Sequence, residues 1–137
     1  MKSINTLYII DDDPIFVFTT KKMFDKEKIC QNILVFPNGE DAINHLTPLM
    51  DANNEKELPE LILLDLNMPI MDGWQFLDEF VKHKTEKKII IFIVSSSIDP
   101  NDIQKANEYQ NVSNYIIKPI TREKIKHIAS EITALVN

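Results

Sequence analysis

A chain of 137 residues, 44% hydrophobic and 26% charged, has the size and make-up of one globular domain that buries its core without disulfide staples. Its net charge of −6 argues against a basic nucleic-acid footprint, and its two glycines, Gly39 and Gly73, exclude a glycine-rich phosphate cradle. No run approaches the ~20 apolar residues of a membrane span, Met1 to Thr6 lacks the apolar stretch of a secretory signal, and the single Cys30 fits a reducing cytoplasm.

One rhythm repeats along the chain: a short apolar run, then an amphipathic stretch. Leu7 to Ile10 reads as a strand that stops at Asp11-Asp12-Asp13. Asp13-Pro14 reads as a helix start, aspartate as cap and proline in the first turn, with the helix running to about Asp25 or Lys26. Ile33 to Phe36 is a second strand, and Glu40 to about Leu49 a second helix with Ala42, Ile43 and Leu46 on one face. Pro48 to Pro59, with Asn53 near its middle, is expected to be an exposed loop extension. Leu61 to Leu64 is a third strand, apolar on both faces and therefore central in a parallel sheet. A third helix from Asp72-Gly73 to about Lys82 precedes a fourth strand, Ile89 to Val94. Asp99-Pro100 repeats the capping signal for a fourth helix to about Tyr109, and Tyr115 to Ile117 is a short fifth strand. Thr121 caps a last helix whose apolar stripe is Ile125, Ile128, Ile132 and Leu135. Strands alternating with helices in this way imply an α/β fold, a parallel sheet with helices on both faces, with residues 1–137 forming a single domain and no room for a second.

The polar residues fall where such a sheet places its ligands. Asp11, Asp12, Asp65, Ser95 and Lys118 each follow an apolar strand at its carboxyl end, and those ends share one edge. Three converging carboxylates repel one another unless a hard cation joins them. Magnesium suits that role, because it takes one or two carboxylates and keeps positions for water and phosphate oxygens. Phosphoryl transfer needs positioning and charge neutralisation, which the metal, Lys118, the Ser95 hydroxyl and backbone N–H groups after Asp65 can supply. Asp65 is then the nucleophile, forming an aspartyl-phosphate.

At these residues the chain resembles the receiver domain of two-component response regulators, from about Thr6 to about Leu135. Ile9-Ile10-Asp11-Asp12-Asp13 matches the family's acidic pair, Leu63-Leu64-Asp65-Leu66-Asn67-Met68-Pro69-Ile70-Met71-Asp72-Gly73 its acceptor strand and loop, and Val94-Ser95-Ser96 its switch hydroxyl. Tyr115 stands three residues before Lys118-Pro119, matching the aromatic switch and the lysine with its cis-proline. The resemblance implies a flavodoxin-like, doubly wound (βα)5 fold with strand order 2-1-3-4-5 and no attached output domain. It implies Mg²⁺ held by Asp12 directly, Asp11 through water, Asp65, and the Asn67 backbone carbonyl. Asp65 is the implied phosphoacceptor; Lys118 and Ser95 neutralise and read the phosphoryl group, and Ser95 with Tyr115 forms the switch. Asn67 and Ser97, two residues beyond Asp65 and Ser95, are expected to flank the attacking water and tune the lifetime of the mark. A histidine kinase or histidine phosphotransfer protein is the implied donor. The fourth helix, fifth strand and fifth helix form the implied face for a downstream protein, the chain being a cytoplasmic monomer or weak homodimer that touches neither nucleic acid nor membrane.

Taken singly, each motif has a plainer reading: Asp11-Asp12-Asp13 as turn and cap, Asp65 as a turn residue, Ser95-Ser96-Ser97 as a solvated loop, Lys118-Pro119 as a strand exit, Tyr115 as half-buried packing. Their conjunction at one edge favours the phosphorylatable switch, which acts on itself alone and is not otherwise an enzyme. Two alternatives are a haloacid-dehalogenase-type phosphatase using the Asp11-x-Asp13 pattern, and a receiver-like interaction module without phosphorylation. Asp65 with its Asn67-Met68-Pro69 loop weighs against the first, and the intact set of acids, acceptor and lysine against the second. His45, His83 and His127 lack metal-ligand spacing and read as surface or groove residues. Phe16, Phe18, Met23 and Phe24 give the first helix more apolar character than one stripe needs.

Overall fold

The computed structural model describes residues 4–136, so Met1 to Ser3 and Asn137, inside the expected 1–137 domain, lie outside the described residues. Strands β1 (Ile4–Ile10), β2 (Cys30–Phe36), β3 (Leu61–Leu64), β4 (Ile90–Ser95) and β5 (Val112–Ile117) alternate with helices α1 (Pro14–Glu27), α2 (Gly39–Asp51), α3 (Gly73–Phe80), α4 (Pro100–Ala106) and α5 (Arg122–Val136). The strands form one parallel sheet in the order β2-β1-β3-β4-β5, as expected from the sequence.

The two-residue period of the strands divides the core. Tyr8, Ile10, Ile62, Leu64, Ile91 and Ile93 point to one face, where they meet Leu46 of α2, Phe76 of α3 and Ala106 of α4. Leu7, Ile9, Leu61, Leu63, Phe92 and Val94 point to the other, against Phe24 of α1 and Ile125, Ile128 and Ile132 of α5. Every residue of β3 and β4 is buried, which is why these two read as unbroken apolar runs.

The helix starts follow the capping signals. Asp13 Oδ1 accepts the Ile15 N–H at 3.0 Å and the Phe16 N–H at 3.4 Å, and Asp72 and Gln75 form a reciprocal capping box at α3. The ends differ more. Helix α2, expected to end at about Leu49, runs through Pro48 to Asp51. Pro48 and Asn44, the residue whose carbonyl loses its donor, are both exposed, so water can serve that carbonyl, while buried Met50 anchors the last turn. Helices α3 and α4 end earlier than expected and continue as tighter turns. The N–H groups of Lys82, His83, Asn107, Glu108 and Tyr109 each bond a carbonyl three residues back.

The segment expected as an exposed loop is thus helical at its start and held down at its end. Leu58 and Pro59 are buried. Lys87 Nζ donates to the carbonyls of Glu55 and Leu58, both at 2.7 Å, and pairs with Glu60 Oε2 at 2.6 Å. Glu60 Oε1 in turn accepts the N–H groups of Asn5 and Thr6. A single ammonium group clasps this stretch to the amino-terminal edge of the sheet.

Candidate functional site

Strand pairing continues one step past the ends of β1, β3 and β5 and sets the polar residues side by side. The Asp11 N–H donates to Phe36 O at 3.0 Å, the Asp65 N–H to Ile10 O at 3.0 Å, and the Lys118 N–H to Ser95 O at 2.9 Å. Asp11 and Asp65 are therefore level, Ser95 lies one residue further along β4 and Lys118 one residue past Ile117, the partner of Ser95, so all four gather at the carboxyl edge with Asp12. The Lys118–Pro119 peptide is cis.

Asp11, Asp12 and Asp65 each offer a carboxylate oxygen, and the three atoms lie within 4.8 Å of one another. Asp11 and Asp65 are buried and Asp12 is exposed, so the cluster opens to solvent on one side. Lys118 Nζ stands 2.8 Å from Asp11 Oδ2 and 3.8 Å from Asp65 Oδ2, seated 4.4 Å from the centroid of the Phe16 ring. That ring attracts the ammonium through its π face and fixes its direction.

The electrostatics follow from burial and crowding. Loss of solvation, then the neighbouring Asp11 charge, raise the Asp65 carboxyl to about 6, against the opposing pull of Lys118 and the N–H groups of Leu66 and Asn67. Burial also raises Asp11, although Lys118 and the Asp13 N–H pull the other way. One ammonium among three carboxylates leaves the cluster short of positive charge. The donors are all hard oxygens, and this set fits a hard divalent cation.

Around the cluster the backbone is tightly packed. The Leu66 N–H donates to Asp65 Oδ1 at 2.9 Å and holds the carboxylate over the start of the following loop. A Cβ on Gly73 would lie 2.5 Å from the Asp65 carbonyl oxygen and 2.9 Å from Leu66 Cα, so only glycine lets α3 begin this close. In the same loop Ile70 adopts a φ of 71°, the left-handed region, and leaves its side chain 73% exposed.

Ser95 is fully buried at the end of β4, and its Oγ accepts the Ser97 N–H at 3.1 Å. The Tyr115 hydroxyl donates to the Ser97 carbonyl at 3.0 Å, so the expected switch tyrosine is half-buried and bound to the loop after β4. Asn67 is exposed one step past Leu66. Asp13 stands apart from the cluster as the α1 cap, and the three histidines do not join it. His45 packs on Tyr8 and Phe36, His83 bonds Asp51 at 2.8 Å, and His127 lies in the groove between β5 and α5.

Of the apolar residues on α1, Phe16 and Phe24 are buried, whereas Phe18 is 60% and Ile15 74% exposed. The seating of Lys118 on the Phe16 ring and the bond from Ser97 to Asp102 were not legible in the sequence, whereas Gly73 was already part of the acceptor-loop match. Only Gly73, one of two glycines in the chain and next to a capping aspartate, carried a local signal.

The family model for the response regulator receiver domain matches residues 7–130. A crystal structure of a two-component response regulator from Cytophaga hutchinsonii superposes with a TM-score of 0.84 at 30% identity, covering 97% of this chain and 99% of that one. The receiver domain of sensor histidine kinase PA1611 from Pseudomonas aeruginosa, solved with magnesium coordinated in its active-site cleft, shares the fold. Its TM-score is 0.73 at 16% identity, covering 97% of this chain and 99% of that one. Among curated proteins, the probable methanogenesis regulatory protein FilR2 of Methanothrix harundinacea is 24% identical over 92% of this chain and 79% of its own length. The chain spans half or less of the next two curated relatives it matches.

Proposed function

The chain belongs to the response regulator receiver family, whose members are signalling switches rather than enzymes acting on metabolites, and from that premise we propose that Asp65 is its phosphoacceptor. The single observation that carries this reading is the carboxylate cluster at the sheet edge, two of its three members buried, with Asp65 raised to about 6 and Lys118 within 3.8 Å. An Asp65 carboxylate oxygen attacks the phosphorus of a phosphohistidine, the phosphorus–nitrogen bond breaks, and the released imidazole takes up a proton. Lys118 is placed to neutralise one phosphoryl oxygen and the Leu66 and Asn67 N–H groups to assist, while Ser95 donates its hydroxyl proton to another.

Asp12, Asp65, the Asn67 carbonyl and, through water, Asp11 would hold Mg²⁺. The ion supplies charge neutralisation for the incoming phosphoryl group. Two features support a protein as the donor. The site lies in a sheet edge ringed by loops rather than in a closed pocket. Ile15, Phe18, Ile70 and Ile98, all exposed on the segments that follow strand carboxyl ends, also give that edge an apolar rim suited to a docking helix of a histidine kinase or phosphotransfer protein. The reader of the mark is a downstream protein that docks on the face of α4, β5 and α5, where Tyr115 is bound to the β4–α4 loop. Residues 1–137 act as one receiver domain in this reading. Asn67 and Ser97 flank the approach of hydrolytic water. Among the described residues no helix is long and apolar enough to cross a membrane.

The phosphatase alternative loses its second acid, because the Asp13 carboxylate is engaged by the Ile15 and Phe16 N–H groups. The test is covalent. Incubation with Mg²⁺ and acetyl phosphate should add one phosphoryl group, seen as a mass increase that Asp65→Asn abolishes. A phosphoryl group retained by Asp65→Asn would refute the assignment. Turnover of a phosphate ester lost in Asp11→Asn would favour the phosphatase instead.

A further inference from the structure

We propose that Asp102 of α4 is a positioning residue for the Ser95 hydroxyl, acting through Ser97, and that the two latch the β4–α4 loop in its phosphoryl-free arrangement. The proposal rests on the reading of Asp65 and Ser95 given above, and it adds a residue outside their contacts.

Ser97 uses every polar group it has. Its N–H donates to Ser95 Oγ at 3.1 Å, and its carbonyl accepts the Tyr115 hydroxyl at 3.0 Å. Its own hydroxyl accepts the Asp99 N–H at 3.3 Å and gives its one proton to Asp102 Oδ2 at 2.6 Å. The last of these is the short bond of the set, made to a carboxylate oxygen, and hydrogen bonds to carboxylates are about twice as strong as neutral ones. Both partners are half-buried, so water competes with the bond only in part.

Ser97 is thus the point where the hydroxyl at the end of β4, the tyrosine of β5 and the first turn of α4 are joined. For Ser95 to turn toward a phosphoryl group on Asp65, it must either release the Ser97 N–H or draw Ser97 with it. The first course leaves that N–H without its acceptor; the second pulls Ser97 from Asp102 and carries its carbonyl away from Tyr115. Asp102 resists both by fixing the Ser97 side chain. A carboxylate in the first turn of α4 also interacts favourably with the helix dipole, a plain structural role that must be separated from the latch.

The separation comes from equilibrium binding of beryllofluoride, a phosphoryl mimic, in the presence of Mg²⁺. Trp74, the only tryptophan in the chain and the neighbour of Gly73, reports occupancy by its fluorescence. Asp102→Ala and Ser97→Ala should each tighten binding roughly three- to tenfold, the scale of one charge-assisted hydrogen bond partly open to water. The double variant should bind no tighter than either single one, because both remove the same bond. Asp102→Asn keeps an acceptor oxygen without the charge and should tighten binding less than Asp102→Ala, whereas a helix-dipole role, lost equally in both, would make the two alike. Circular dichroism confirms that each variant keeps its fold. If the wild type binds the mimic and the single variants are unchanged, weakened or additive in combination, the latch is overturned while the acceptor site stands. Failure of the wild type to bind removes the acceptor reading and the latch with it.

Discussion

At Asp65, the burial that surrounds the proposed phosphoacceptor works against the fold when no cation is bound. An aspartate raised from 3.8 to about 6 holds its proton more tightly in the folded chain than in the unfolded one. Between those values the folded state binds more protons, so stability falls as pH rises from about 4 to about 6 and stays low above it. Below the unfolded value both states are protonated and the effect vanishes. Chemical denaturation of the metal-free chain across this range should show the decline. Asp65→Asn should make the decline shallower, leaving the share that belongs to Asp11, and raise stability near pH 7 by about 1–3 kcal/mol. Ile70 is a second costly residue, since a β-branched side chain in the left-handed region loses about 1–2 kcal/mol. Ile70→Gly should recover part of that, read as a higher thermal midpoint. The acids, hydroxyl and lysine were legible because each sits directly after an apolar run. Phe16 was not, because its tie to Lys118 joins the first turn of α1 to the end of β5 and leaves no trace in local spacing.

Among the elements, starts were easier to read than ends. Asp13, Asp72 and Asp99 marked three helix starts because a cap is a local bond between a side chain and an N–H two or three residues on. The extension of α2 from the expected Leu49 to Asp51 depends on Met50 reaching the core, a tertiary contact that local spacing does not show. The clasp after it joins residues about 30 apart in sequence, beyond any local pattern. Lys87→Met keeps the aliphatic stem but removes the ammonium from Glu60 Oε2 and from the carbonyls of Glu55 and Leu58. It should cost about 1–3 kcal/mol, measured as a lower denaturant midpoint with an unchanged slope.

Across the whole molecule, the parallel sheet dictates where chemistry can occur. Strands that all point one way deliver their following residues to one edge, so the location of the site was legible from the apolar runs and the residues after them, whereas the strand order came only from the family resemblance. The same convergence makes the fold responsive to its cation. Mg²⁺ that binds only the folded chain should add stability as RT ln(1 + [Mg²⁺]/Kd), about 2.7 kcal/mol at a hundredfold excess over Kd. Asp12→Ala, at an exposed position, should remove most of that gain while leaving the metal-free midpoint nearly unchanged. Lys118 bears on how fast such a molecule can answer. Its ammonium is already steadied by the Phe16 ring and Asp11 before any phosphate arrives, so no search for its position precedes the reaction. In the proposed switch, the pace of a signal is then set by how often a donor collides with the edge and how readily the β4–α4 loop lets go, and not by a search for the position of Lys118.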